Sequence, residues 1–511
     1  MQIRAEKWIL PAVIGLHLAI TLPGAYYLNI WVDEASSLYA TQQGFWTAFQ
    51  NAAAEQKQAP LYFWILSLWR SIDGSIFFAR LFSIICSVAA IKLFAGLASR
   101  ILDHRGAMLL TAFFGLHPFL IWASLEIRVY SLVILLSIVL IRLFFLAFWG
   151  RDQPETSTRP GYPTVWFLIA IIVALYTNYY LGFLVAGLFA ALIVARRWRE
   201  ARLFAFLMVG AALAFFPLFF EMIEEFRSKT SGFQPPRTLP EGLRGIWNNF
   251  LTFVLPTEIF PASEQSTPSF IRVWIVRIAG VVIAGMVFWK RKQITSTTIC
   301  LAVISIMIGL FLLAAYFLVG SLYIQIRHAS VLFVPLTLFL ASLLADLFRE
   351  MRRNQAKPLM IGSALLVIAS FAYSISVLYP NMTKRGDWAR VAEFIQQNES
   401  PGQPIVLFAA FDALALPYYY HGVNPIFPDE NYFDFGLQAP AGSAGSLVRQ
   451  NEFVISEIPP KATELWLVVN EQCVSSEACR PLENYLAANY TIELEREFYL
   501  SKVIRLKAKT Q

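Results

Sequence analysis

Apolar segments of about twenty residues, the length a helix needs to cross a bilayer, recur between residues 8 and 379, separated by short clusters of Lys and Arg. Such a chain cannot fold around one water-solvated core, because its apolar runs lack the polar face that a soluble helix keeps. With 57% hydrophobic and only 15% charged residues, most of it has lipid as its solvent. The first run, residues 8–27, follows Arg4 and Lys7. It lacks a small-residue cleavage site and is long enough to span, so it reads as a retained helix rather than a secretion signal.

The basic clusters set the topology. If Arg4 and Lys7 hold the N-terminus in the cytoplasm, later spans are expected at 76–98, 107–124, 129–149, 164–180, 181–195, 203–220, 271–289, 294–319, 329–347 and 359–379. These about eleven spans leave Arg100, Arg105, Arg151, Arg159, Arg197, Lys290, Arg291, Arg352 and Arg353 on the cytoplasmic side, as the positive-inside bias demands. The net charge of +7 is thereby a topology signal, and no nucleic-acid motif accompanies it. Two long loops, 28–75 and 221–270, face the other side. Residues 60–69 are apolar but too short to cross and read as an interfacial helix. Pro235, Pro236, Pro256 and Pro261 argue against a continuous helix in the later loop.

After Pro380 the chain turns polar. Helices are expected at 387–397 and 481–489, and strands at 404–410 and 465–470. The expected fold is an all-α polytopic membrane domain over 1–380 with a C-terminal extracytoplasmic α/β domain over 381–511. An oxidising compartment would let Cys473 and Cys479 close a disulfide loop. A zinc site is the alternative, but no second Cys or His pair lies near in sequence. Cys86 and Cys300 fall within spans and read as packing residues.

Chemistry concentrates at Trp31-Val-Asp33-Glu34-Ala-Ser-Ser-Leu-Tyr39, just beyond the first span. Two carboxylates beside hydrocarbon are costly unless they face water, a partner or a substrate. The plain alternative is an acidic first turn complementing the positive end of a short helix. The expected topology brings Lys57, Tyr62, Glu126, Arg128, Tyr130, Asn178, Arg327 and His328 to the same face. Carboxylates there can take a proton from an acceptor, and Arg or Lys can hold phosphate oxygens on a lipid-borne substrate. Each has a plainer reading: Glu126 and Arg128 as an ion pair closing two helices, the tyrosines as interfacial anchors, His328 as a hydrogen-bonded interface residue, Lys57 as solvated. No Gly-rich phosphate loop, His-rich metal motif or Gly-x-Ser-x-Gly occurs.

Asp33-Glu34-Ala35, Ala59-Pro60-Leu-Tyr62, Ala79-Arg80-Leu-Phe-Ser83, Glu126-Ile-Arg128-Val-Tyr130, Arg327-His328 and Gly386-Asp387-Trp388-Ala-Arg390, in that order, resemble the GT-C glycosyltransferases of the protein O-mannosyltransferase and aminoarabinose-transferase type. The resemblance implies a multi-pass enzyme of the inner membrane that passes a sugar from a polyprenyl-phosphate donor, usually with inversion, to a glycan, lipid or protein acceptor outside the cytoplasm. It implies that Asp33 is the general base or acceptor-orienting group, with Glu34 its neighbour. Glu126, Arg128 and Tyr130 are implied near the donor, and Arg327 near phosphate. The chain departs from the family at Gln58-Ala59-Pro60, where His-Pro-Pro is frequent, and at His328, where Tyr is usual. Use of a divalent metal varies among such enzymes, and nothing in the sequence fixes it.

Two other classes of membrane protein handle lipid-linked sugars and carry their own signatures. A transporter or flippase of lipid-linked sugars should show internal repeats or charged, Gly/Pro-broken segments at mid-membrane, and neither is seen. A lipid-linked glycan polymerase or ligase should carry paired arginines in a large outer loop, whereas Arg227, Arg237 and Arg244 are scattered.

Overall fold

The computed structural model describes residues 8–54, 58–149, 162–230, 238–259, 267–318, 325–349, 353–408, 414–427, 451–452, 454–459, 462–470 and 479–509. By contacts the chain falls into two compact units. The first holds Met1–Ala25, Gly44–Thr230 and Pro236–Leu378; the second includes Tyr26–Gln43 and Tyr379–Gln511.

In chain order the helices up to residue 378 are α1 (Ile9–Tyr27), α2 (Val32–Ala40), α3 (Phe45–Ala54), α4 (Leu61–Arg70), α5 (Ile76–Ile101), α6 (His104–Gly115), α7 (Pro118–Ser124), α8 (Tyr130–Phe144), α9 (Tyr162–Thr177), α10 (Leu181–Val194), α11 (Trp198–Thr230), α12 (Leu239–Val254), α13 (Thr267–Trp289), α14 (Ser296–Leu318), α15 (Ser330–Phe348) and α16 (Arg353–Leu378). Among the described residues, eight helical stretches are long and apolar enough to cross a membrane, and the pair α6–α7 makes a ninth. The chain is a multi-pass membrane protein. Two further segments read as spans, α9 and α10, are apolar but only 16 and 14 residues long, or roughly 20–24 Å, short of the hydrocarbon thickness.

The expected single span 107–124 is broken, with α6 and α7 meeting at 52°. Pro118 causes the break: it denies a backbone donor and pushes His117 into extended geometry. His117 Nδ1 then caps α7 by accepting from the Phe119 N–H at 3.1 Å. His17 of α1 staples the two halves. Its Nδ1 lies 2.7 Å from the Gly115 carbonyl and its Nε2 3.1 Å from Ser124 Oγ. A carbonyl only accepts, so Nδ1 carries the proton.

Among the described residues the stretch expected as a loop at 221–270 is not one continuous helix, as its prolines argue. It contains α12, an amphipathic helix begun by the Thr238–Glu241 capping box with Pro240 in the first turn, a position where proline's missing donor costs nothing. The segment 60–69, expected at the interface, is the helix α4, tied down where Trp69 Nε1 donates to the Phe78 carbonyl at 2.8 Å and stacks on its ring at 4.6 Å.

The second unit holds α2 and a small α/β domain: α17 (Trp388–Asn398), β1 (Ile405–Leu407), β2 (Ile426–Phe427), β3 (Glu464–Asn470), α18 (Arg480–Asn489), β4 (Tyr490–Phe498) and β5 (Ser501–Ala508). The sheet order is β2-β1-β3-β5-β4. β1 runs parallel to β2 and β3, whereas β5 is antiparallel to β3 and β4. Val406, Leu465, Leu467, Val469 and Leu506 form one side of its core, against Leu482 and Leu486 of α18. Cys479 is disulfide-bonded, and its expected partner Cys473 lies outside the described residues. Cys86 and Cys300 are free and buried.

Candidate active site

Asp33 and Glu34 occupy the first turn of α2. This is where carboxylates complement the helix dipole, but the two carboxylates differ in exposure. Glu34 is fully buried. Its Oε2 sits 2.8 Å from Lys384 Nζ, an ammonium that is 3% exposed, and returns to the Trp31 N–H at 3.4 Å. Asp33 is half-buried.

The surroundings of Glu34 are built from two distant stretches of the second unit. Asn29 Oδ1 accepts from the Lys384 N–H and from Thr383 Oγ1, each at 2.7 Å. Thr383 Oγ1 also reaches Asp387 Oδ1 at 2.9 Å, and the Ile30 N–H donates to the Tyr419 hydroxyl at 2.7 Å. The helix bearing Asp33 is thus held by the start of the C-terminal domain. Burial strengthens these contacts and makes them costly to break.

The remaining expected residues lie in the first unit. Glu126 and Arg128 are buried in the turn between α7 and α8. Tyr130 opens α8 and stacks on Trp122 at 4.9 Å. Arg327 and His328 precede α15, where the imidazole stacks on Tyr180 at 5.3 Å and 20°. Lys57 lies outside the described residues. Two residues of the quoted motifs gain roles from the structure. Arg80 is fully buried and donates from Nη1 to the Ala25 carbonyl at 3.1 Å. Ser83 donates to the Glu126 carbonyl at 2.7 Å.

Ser83 belongs to a buried serine chain that supports the Glu126–Arg128 turn. Ser87 Oγ lies 2.7 Å from Ser124 Oγ and 3.1 Å from Ser131 Oγ, and Ser131 donates to the Ala123 carbonyl at 2.8 Å. Ser83→Ala leaves the Glu126 carbonyl without this donor and is expected to cost about 1–3 kcal/mol of stability. A fall in the unfolding midpoint in detergent, restored by Ser83→Thr, checks this; an unchanged midpoint contradicts it.

Among the described residues no three His, Cys, Asp or Glu side chains gather as a metal site.

A bundle of membrane-crossing helices, with a carboxylate-bearing helix after its first span and a small C-terminal α/β domain, defines a fold of the GT-C class. No protein-family model matches the chain, and no curated protein matches it. Among solved structures, the oligosaccharyltransferase of Archaeoglobus fulgidus, in complex with Zn and sulfate, is similar with a TM-score of 0.51 at 13% identity, over 95% of this chain and 71% of that one. ArnT from Cupriavidus metallidurans in its apo state aligns over 98% of both chains with a TM-score of 0.43 and 12% identity. The likeness to the oligosaccharyltransferase, at 13% identity, is one of fold.

Proposed function

We propose that this chain is a membrane glycosyltransferase that moves a sugar from a polyprenyl-phosphate donor to an acceptor on the extracytoplasmic side, with its N-terminus in the cytoplasm. The observation that carries the reading is the Asp33–Glu34 pair: one carboxylate is locked by a buried ammonium, and its neighbour is half-buried at the start of the same helix. The GT-C fold and the order of the motifs support it.

In the proposed reaction an acceptor hydroxyl or amine attacks C1 of the donor sugar, and the bond from C1 to the phosphate oxygen breaks. Asp33 takes the acceptor's proton. Polyprenyl phosphate leaves with the bonding electrons, its growing charge held by Arg128 and Arg327. Attack opposite the leaving group inverts the anomeric centre. Glu34 keeps its place as the group that fixes α2, while Glu126, Tyr130, His328 and Lys57 shape the donor side.

The test uses purified full-length protein with radiolabelled polyprenyl-phosphate sugars and a membrane extract as acceptor source. Label appearing in an acceptor fraction, with release of polyprenyl phosphate, supports the transferase. Donor that crosses reconstituted vesicles unchanged, with no release of polyprenyl phosphate, overturns it in favour of a flippase.

A further inference from the structure

The C-terminal domain carries a cleft of about 340 Å³, open to solvent, lined by Asn381, Asp387, Arg390, Arg496, Phe498 and Tyr499. That volume falls within the range of small-molecule sites. All of the lining belongs to the second unit.

Its two guanidinium groups are held differently. Arg390 is engaged, with Nη1 3.1 Å from Asp387 Oδ2 and Nη2 donating to the Asn381 carbonyl. Arg496 lies over two rings, 5.0 Å from the centroid of Phe394 and 5.3 Å from that of Phe498. Among the described residues it has no carboxylate at ion-pair distance. A guanidinium held over aromatic rings can still bind carboxylate or phosphate in bidentate fashion through its N–H groups. The Asn381 carboxamide, the Tyr499 hydroxyl and the Glu497 carboxylate beside it can exchange hydrogen bonds with ring hydroxyls, and Phe498 offers an apolar surface to a sugar's C–H face.

The lining residues Asn381 and Asp387 adopt positive φ, as do their chain neighbours Met382 and Gly386 and, next to Tyr499, Leu500. Such geometry persists where its surroundings over-determine it, and it concentrates at ligand clamps. The Gly386 N–H donates to the Tyr499 carbonyl at 3.2 Å and the Gly386 carbonyl accepts from Ser501 Oγ at 2.8 Å. Between the cleft residues Asn381 and Asp387 lies Lys384, whose amine grips Glu34. One short segment thereby lines the cleft and anchors the helix that bears Asp33.

We infer that this cleft is a subsite for a sugar carrying an anionic group, phosphate or carboxylate, and that the sugar belongs to the acceptor; the last point rests on the transferase reading. Full-length protein in detergent, titrated calorimetrically with N-acetylglucosamine 1-phosphate and with a glucuronic-acid disaccharide, is expected to bind at least one of them. It is expected not to bind neutral chitobiose. Arg496→Met, which keeps the apolar stack and removes the charge, is expected to weaken binding about tenfold or more, with Arg496→Lys intermediate. Preference between the two anionic probes separates a phosphosugar from a uronic acid.

Binding of neither probe, binding unchanged in Arg496→Met, or inorganic phosphate binding as well as the sugars overturns the inference. Donor consumption without acceptor is measured in parallel and is expected to be unaffected by Arg496→Met. Anionic sugars that bind while no donor is ever consumed leave the cleft standing and sink the transferase. Transfer that proceeds with an acceptor KM indifferent to Arg496→Met does the reverse.

Discussion

Replacing Asp33 with Asn is expected to lower sugar transfer by about a thousandfold, the size of loss when a base that also orients its substrate is removed. The substitution keeps the shape of the side chain and places Asn in a first helical turn, so α2 should still form. The Glu34–Lys384 pair is untouched, and with it the contact that seats the helix. The loss should therefore fall on kcat, with the size-exclusion profile and unfolding midpoint of the wild type. A folded Asp33→Asn protein that transfers within about threefold of wild type returns Asp33 to the role of a helix-start carboxylate. The base must then be sought at Glu126.

Lys384→Met is expected to be the most destabilising single change in the C-terminal domain. It removes the ammonium opposite a carboxylate that is 0% exposed. Breaking one side of such a pair costs about 3–5 kcal/mol, whereas replacing both sides by well-packed hydrophobic groups of similar volume is often neutral. The double variant Glu34→Met/Lys384→Met should therefore regain most of the unfolding midpoint lost by Lys384→Met. Its transfer rate then reports whether the pair serves only folding or also holds α2 in register for Asp33. If the single variant unfolds at the wild-type temperature, the buried pair contributes little and the anchoring described for α2 fails.

The membrane-crossing frame was legible because hydrocarbon imposes one strong rule on every span. Pro118 shows where that rule stops: composition ran through 107–124 as one segment, while the proline split it into α6 and α7. The short strands of the sheet were legible in part. The stretches 404–410 and 465–470 contain β1 and much of β3, but the hairpin β4–β5 was not expected. Its strands carry Glu, Arg and Lys on an exposed face, and the irregularity at Ile492/Leu494 interrupts the two-residue period that marks a strand. α12 was not expected; Pro240 stands in its first turn, where the missing donor costs nothing.

Of the candidate site, residue types were readable and partnerships were not. Asp33-Glu34 announces itself by lying next to a span, but nothing local says that Glu34 is neutralised by a lysine in another part of the chain. Ser83, Ser87, Ser124, Ser131 and His17 looked like ordinary constituents of apolar helices. Hydroxyls can hide in a span by bonding to their own helix backbone. Only packing shows that these serines bond across helices and that Ser83 holds the turn carrying Glu126 and Arg128.

The contact between α2 and the start of the C-terminal domain joins groups as far apart in sequence as Asn29 and Lys384, 355 residues. On a ribosome adding about 5–20 residues per second, α2 emerges on the order of half a minute before its counter-charge is made. Throughout that interval Glu34 lacks its ammonium, and the helix that bears Asp33 has no seat. A nascent chain that stalls or is clipped before residue 384 would carry most of the membrane bundle yet never assemble this corner. Seating of this helix is thereby deferred until residue 384 of the 511 has been made.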